Sequence, residues 1–112
     1  MKNPFGHDLA IDIGTANTVI YRAFQGVVLN EPSVICINKD NGQVVSVGTD
    51  ARSMVGRTPD NIVSIRPLKD GVVADFENAQ RMLRTFMEKA GSRRIFSKPI
   101  VVIAVPPVVT SV

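Results

Sequence analysis

A chain of 112 residues, 45% apolar and 21% charged, has the composition of one small globular domain with one core. No apolar run nears the roughly 18 residues that cross a bilayer, and the opening MKNPFGHD lacks the apolar segment of a secretory signal. The net charge of +3 is uneven: residues 1–80 balance to −2, whereas residues 81–112 hold six Lys/Arg against Glu88 alone, a balance of +5 that points to an anionic surface or a solvated helix face.

In chain order, Asp8–Ile13 reads as a strand, and Thr18–Phe24 (TVIYRAF), β-branched and aromatic, as a second. Gln25-Gly26 is a short turn, so the strand that starts at Val27–Leu29 runs antiparallel to its predecessor. Asn30-Glu31-Pro32 is expected to break that run. Ser33–Asn38, a hairpin turn at Lys39–Gly42 and Gln43–Val47 follow, giving a meander of about five short strands. Cys36, the single cysteine, sits in the apolar run VICI and reads as a buried thiol in a reducing compartment. Asp50–Val55 has room for one or two helical turns. Ile62–Ile65 is a short strand between proline breaks, and Asp70-Gly71 is a turn.

One long helix is clear. Asp75 is placed to cap it, Glu77 suits its positive end, and Gly91 stops it. Phe76, Ala79, Met82, Leu83, Phe86, Met87 and Ala90 recur at spacings of three and four as one apolar stripe. Lys98-Pro99 then opens Ile100–Val105 (IVVIAV), a continuous apolar run typical of a fully buried parallel strand. Strands, a helical crossover and a returning central strand make an α/β fold with a mixed sheet. With neither cap nor stop signal over Val108–Val112, the chain reads as cut off.

DIGTANT, Asp12 to Thr18, raises the functional question. A carboxylate ends an apparently buried strand, where α/β sheets place ligand sites, and burial would demand a partner for it. Gly14 permits close backbone approach, Thr15 and Thr18 offer hydroxyls, and Asn17 an amide. Converging turn N–H groups make an anion concavity. A carboxylate beside a phosphate cradle needs a cation between them, and Mg²⁺ with its waters is the natural choice. The same residues also make an ordinary hairpin turn, and the P-loop and dinucleotide fingerprints are absent.

DIGTANTVIY, GVVLNEPSVI, VGTDARSMVGRTPDNI and IRPLKDGVVADF together resemble the MreB-type bacterial actins, from about Asp8 to Val112. The resemblance implies the N-terminal portion of an actin-like ATPase (ribonuclease H-like) fold. Residues 1–30 would begin the large subdomain with its phosphate-binding hairpin, 31–75 would form the small subdomain, and 76–112 would return to the large one. It implies that Gly14, Thr15, Ala16 and Asn17 hold the β- and γ-phosphates of ATP, and that Asp12 holds Mg through water. It further implies ATP-dependent filaments made with copies of itself as antiparallel protofilaments, at the cytoplasmic face of the inner membrane, which act with the cell-elongation machinery to direct cell-wall synthesis and rod shape. The preference for ATP over GTP rests on resemblance alone. The family's second phosphate loop, adenosine-binding segment and catalytic glutamate lie beyond anything matching Val112, and Val108-Val109 stand where the family usually has a glycine. The isolated chain is therefore expected to show no ATPase activity and little ATP binding. The alternative is a DnaK-like or sugar-kinase-like nucleotide-binding domain, which would share the phosphate turn but lack the RPLKDGVVADF context.

Residues 91–98, GSRRIFSK, set Ile95 and Phe96 among Arg93, Arg94 and Lys98. The apolar pair either tucks into the core or enters an anionic lipid surface; relatives carry a membrane-inserting hydrophobic loop here, which favours lipid. Pro4 and Gly6 oppose a second, N-terminal helical anchor. His7 alone makes no metal site, and Asp70, Asp75 and Glu77 read as turn, cap and dipole residues rather than a catalytic pair. Arg66 and Lys69 are placed near either the cleft or a subunit contact. The basic C-terminal part lacks the stacking aromatics that nucleic-acid binding needs, so no nucleic-acid partner is expected.

Overall fold

The computed structural model describes residues 9–22 and 24–91. Three antiparallel strands open the chain, β1 (Leu9–Ile13), β2 (Asn17–Arg22) and β3 (Gly26–Pro32), in the order β1-β2-β3. Period-two alternation divides their side chains. Leu9, Ile11, Ile13, Ile20 and Leu29 face the core, while Ala10, Asp12, Tyr21 and Val27 are exposed. β3 runs past its expected break: Thr18 pairs with Glu31 and Asn17 with Pro32. Pro32 is tolerated because it ends an edge strand, where its missing N–H removes no interior ladder bond.

The expected meander divides into two sheets. Val34 N–H bonds the Pro32 carbonyl at 3.0 Å in a tight turn that redirects the chain. Beyond it, β4 (Ile35–Asn38) pairs with β5 (Val44–Val47) on one side and β6 (Ile62–Ile65) on the other, both antiparallel. β4 is central, which accounts for its unbroken apolar sequence. Ile35 and Ile37 enter the main core, while Val34 and Cys36 join Ala51 of α1 (Thr49–Met54) in a second one. Cys36 is fully buried and its thiol points to the Ala51 carbonyl at 3.6 Å. A small hairpin of β7 (Leu68–Lys69) and β8 (Val72–Val73) follows. Asp70 and Gly71, at φ 53° and 78°, supply the two left-handed residues of its turn. Every strand pairing among the described residues is antiparallel. The expected strand Ile100–Val105, on which the mixed sheet rests, lies outside them.

α2 (Phe76–Lys89) carries its apolar stripe onto the sheets. Asp75 caps it, accepting from Asn78 N–H at 3.1 Å and from the Asn78 amide at 2.8 Å. Met82, Phe86, Met87 and Ala90 pack with Ile20, Leu29, Ile35, Ile37, Val47 and Leu68, each large side chain stabilising by about 1.5–3 kcal/mol. Phe76 departs from the expected stripe. It is 55% exposed, because the first helical position projects beyond the sheet that covers the later turns. At the other end, the Arg22 guanidinium reaches across from β2 and donates to the Ala90 carbonyl, a cation on the negative end of the helix.

Glu31 ties three elements together. Its Oε1 accepts from Thr49 N–H at 3.0 Å at the start of α1, and both its oxygens accept from Lys89 Nζ at 3.1 Å in the last turn of α2. Gly48 makes this approach possible: at φ 70° and ψ −131° it is backbone-strained for any side chain, and a Cβ there would stand on the Glu31 carboxylate and 2.8 Å from the Phe86 ring.

Candidate functional site

The turn between β1 and β2 is tight. Ile13 pairs with Thr18, and Gly14 N–H donates to the Asn17 carbonyl at 2.9 Å, leaving Thr15 and Ala16 at the tip. A Cβ on Gly14 would come within 2.6 Å of that same carbonyl oxygen, so this closure excludes any other residue at the position. Among the described residues the N–H groups of Thr15 and Ala16 donate to no other backbone group.

Two remote segments grip this turn. From one side, Ser33 holds it twice: its N–H donates to the Ala16 carbonyl at 2.9 Å, and its hydroxyl donates to the Gly14 carbonyl at 2.7 Å. That hydroxyl also lies 2.9 Å from Thr18 Oγ1 in a buried pair. From the other side, Gly71 N–H, in the β7–β8 turn, donates to Thr15 Oγ1 at 2.7 Å. Asn17 is steadied by its amide, which donates to Asn30 Oδ1 on β3 at 3.0 Å. DIGTANT, LNEPSV and RPLKDG, separated by up to 56 residues, thus meet at one turn.

Two expectations are corrected here. Thr18 is not a free hydroxyl: it is fully buried and spent on Ser33, because alternation turns it inward from β2. Asp12 is not a buried carboxylate in search of a partner. It is exposed on the sheet face opposite the α2 core, so burial gives no reason for its presence. Ser33 and Gly71 were not singled out as site residues; their only sequence signal was membership of the LNEPSV and RPLKDG stretches.

Among the described residues no group of three or more His, Cys, Asp or Glu is placed to hold a metal ion, and no helix is long and apolar enough to cross a membrane. Arg66 and Lys69 line an open depression of about 480 Å³ with Ser64, Ile65, Ala74 and Asp75. Arg93, Arg94, Ile95, Phe96 and Lys98, the expected membrane-contacting set, lie outside the described residues, as does His7.

Comparison with known proteins decides the family. The model of the family described as MreB/Mbl protein matches residues 6–112. The chain belongs to the MreB/Mbl family. It is 55% identical to the cell shape-determining protein Mbl of Bacillus cereus over 108 residues, 96% of this chain and 32% of that protein. It is 49% identical to the cell shape-determining protein MreB of Escherichia coli over 116 aligned residues, 99% of this chain and 33% of that one. MreB 5 of Spiroplasma citri, solved bound to AMPPNP, superposes at a TM-score of 0.67 with 42% identity, over 70% of this chain and 24% of that structure. The same protein bound to ADP gives 0.68 and 39%, over 76% and 26%. As an MreB/Mbl chain it carries the N-terminal portion of the actin-like fold and spans about a third of the length of the curated relatives it matches. The DnaK-like and sugar-kinase-like alternative falls with this assignment.

Proposed function

We propose that the β1–β2 turn is the first phosphate-binding element of a Mg-ATP site, in a protein that assembles with its own copies into membrane-associated filaments directing cell-wall synthesis and rod shape. The observation that carries the reading is the convergence of Ser33 and Gly71 on Gly14, Thr15 and Ala16. A turn gripped from two sides is preorganised, and preorganised N–H groups bind a phosphate oxygen without reordering at the moment of binding. One relative of known structure supports the nucleotide, since MreB 5 of Spiroplasma citri was solved bound to AMPPNP and to ADP.

The residues present fit the group. The exposed Asp12 carboxylate is the kind of single oxygen ligand that suits a hydrated Mg²⁺, whose remaining positions go to water and phosphate. The ion would neutralise phosphate charge. The tip N–H groups of Thr15 and Ala16, with Asn17 beside them, would hold β- and γ-phosphate oxygens.

Filament assembly at the inner face of the cell membrane, with the cell-elongation machinery as partner, belongs to the same proposal. Ile95 and Phe96 would enter the lipid while Arg93, Arg94 and Lys98 meet anionic headgroups. Two apolar side chains at about 1.5–3 kcal/mol each bind one copy weakly, and a filament presenting many copies gains avidity.

The test uses the gene product at its natural length, established by intact mass from its source cells. It should sediment as polymer with Mg-ATP. Gly14→Ala should abolish nucleotide-dependent sedimentation, and Asp12→Asn should raise its Mg²⁺ requirement. Ile95→Ser/Phe96→Ser should leave sedimentation intact but lose binding to anionic vesicles. Equal nucleotide affinity in Gly14→Ala and the parent would remove the turn from the site.

A further inference from the structure

We propose that Asn41, in the β4–β5 turn, is a site of spontaneous covalent modification: its side-chain amide is lost through a succinimide formed with the Gly42 nitrogen, which leaves aspartate or isoaspartate in its place. The inference is independent of the nucleotide and membrane readings.

Asn41-Gly42 is the one asparagine–glycine pair in the 112 residues. The glycine matters because a Cβ on the following residue would shield the attacking nitrogen. There is room for the ring: nothing lies within 4 Å of where a Cβ on Gly42 would stand, and Asp40, Asn41, Gly42 and Gln43 are all exposed. The turn also prepares the electrophile. Asn41 Oδ1 accepts from Gln43 N–H at 2.9 Å, so the side chain folds back along the Gly42 peptide instead of extending into water. A donor on that oxygen draws electrons from the amide carbon and stabilises the oxyanion that forms when the carbon is attacked. The Gly42 N–H is held by the Asn38 carbonyl at 2.7 Å, and the reaction draws on the moments when this bond, at an exposed hairpin end, opens. Asp70-Gly71 differs on both counts: it offers a carboxylate, a far poorer electrophile, and its glycine N–H is spent on Thr15 Oγ1.

The atoms balance with water as the sole co-reactant. The Gly42 nitrogen bonds to Asn41 Cγ, the Cγ–Nδ2 bond breaks, and the proton displaced from Gly42 leaves with Nδ2 as ammonia. A water molecule then opens the cyclic imide. Opening at the former side-chain carbonyl gives aspartate; opening at the backbone carbonyl gives isoaspartate, with the main chain routed through the side chain. Either product adds a negative charge beside Asp40, whose carboxylate accepts from the Asn61 amide at 3.5 Å. Isoaspartate also lengthens the backbone inside the loop that Asn38 N–H closes on the Gln43 carbonyl at 2.9 Å. That bond leads into the ladder that holds the edge strand β5, so isoaspartate loosens β5.

Trypsin cleaves after Lys39 and Arg52, and residues 40–52 contain Asn41 and no other asparagine. When the folded 112-residue chain is kept warm at mildly alkaline pH, mass spectrometry of this fragment should show ammonia lost and water gained. The rate should exceed that of each of the other six asparagines by about tenfold or more, since each of those precedes a residue with a Cβ. An isoaspartyl methyltransferase with a labelled methyl donor should label the aged parent and not aged Asn41→Ser, whose hydroxyl still suits the turn. A fragment that stays intact in the folded chain while it reacts in urea would overturn the inference, because the bond to Asn38 would then protect the turn. Loss spread evenly over the asparagines, or no loss in either state, would overturn it as well.

Discussion

Replacing Ser33 by alanine removes one hydroxyl from the point where two chain segments meet. In the folded chain that hydroxyl donates to the Gly14 carbonyl at 2.7 Å and lies 2.9 Å from Thr18 Oγ1, which is itself fully buried. Alanine leaves a carbonyl and a buried hydroxyl without their partner, and such losses run to about 1–3 kcal/mol. The urea midpoint, followed by circular dichroism, should fall by about 1 M if the slope is ~2 kcal/mol per molar. Thr18→Val should cost a similar amount. The double variant Thr18→Val/Ser33→Ala should cost less than the two single changes together, by roughly 1 kcal/mol, because no orphaned hydroxyl then remains. Ser33→Ala should also weaken nucleotide binding by the natural-length protein, since it frees the Gly14 carbonyl at the base of the turn while the Ala16 carbonyl keeps its bond to the residue-33 N–H. A Ser33→Ala midpoint equal to the parent's, or strict additivity with Thr18→Val, would refute the claim that this hydroxyl holds the turn.

Other positions give sharper contrasts. Gly48→Ala should lower the thermal midpoint by on the order of 10 °C, from backbone strain of about 1–3 kcal/mol and from displacement of Glu31 and Phe86; an unchanged midpoint in a thermal scan would mean that Glu31 does not need this close approach. Phe86→Ala, in the centre of the core, should cost about 3–5 kcal/mol, whereas Phe76→Ala should stay within about 0.5 kcal/mol. Equal losses at the two positions by urea unfolding would place Phe76 back on the buried stripe.

The helix α2 was legible because its information is local. A cap at Asp75, a stop at Gly91 and five consecutive stripe positions from Ala79 to Met87 are all set by residues within one turn of each other. Its one misplaced member, Phe76, fits the period, but burial also requires a neighbour on that side, and periodicity carries no information about neighbours. The same limit explains the strands. All five expected strands in the first half lie close to where composition put them, yet their grouping into two sheets depends on how the chain turns at Pro32 and Ser33. There, too, the proline expected as a break is instead the last residue of β3, since an edge strand tolerates it.

The candidate site shows where local reading stops. Asp12, Gly14, Thr15, Ala16 and Asn17 stand within six residues, on the β1–β2 turn and the strand ends beside it, and can be named from sequence. That they form a prepared turn rather than an ordinary hairpin depends on Ser33 and Gly71, which reach it from other elements. Thr18 illustrates the cost of missing them: its hydroxyl was available on paper and is consumed by Ser33 in the fold. This also explains why LNEPSV and RPLKDG carried more of the family resemblance than the turn they support. A hairpin of Gly, Thr and Asn recurs wherever a chain must reverse. A serine that closes two carbonyls of that hairpin, and a glycine N–H spent on its threonine, have a use only where the turn must hold one shape.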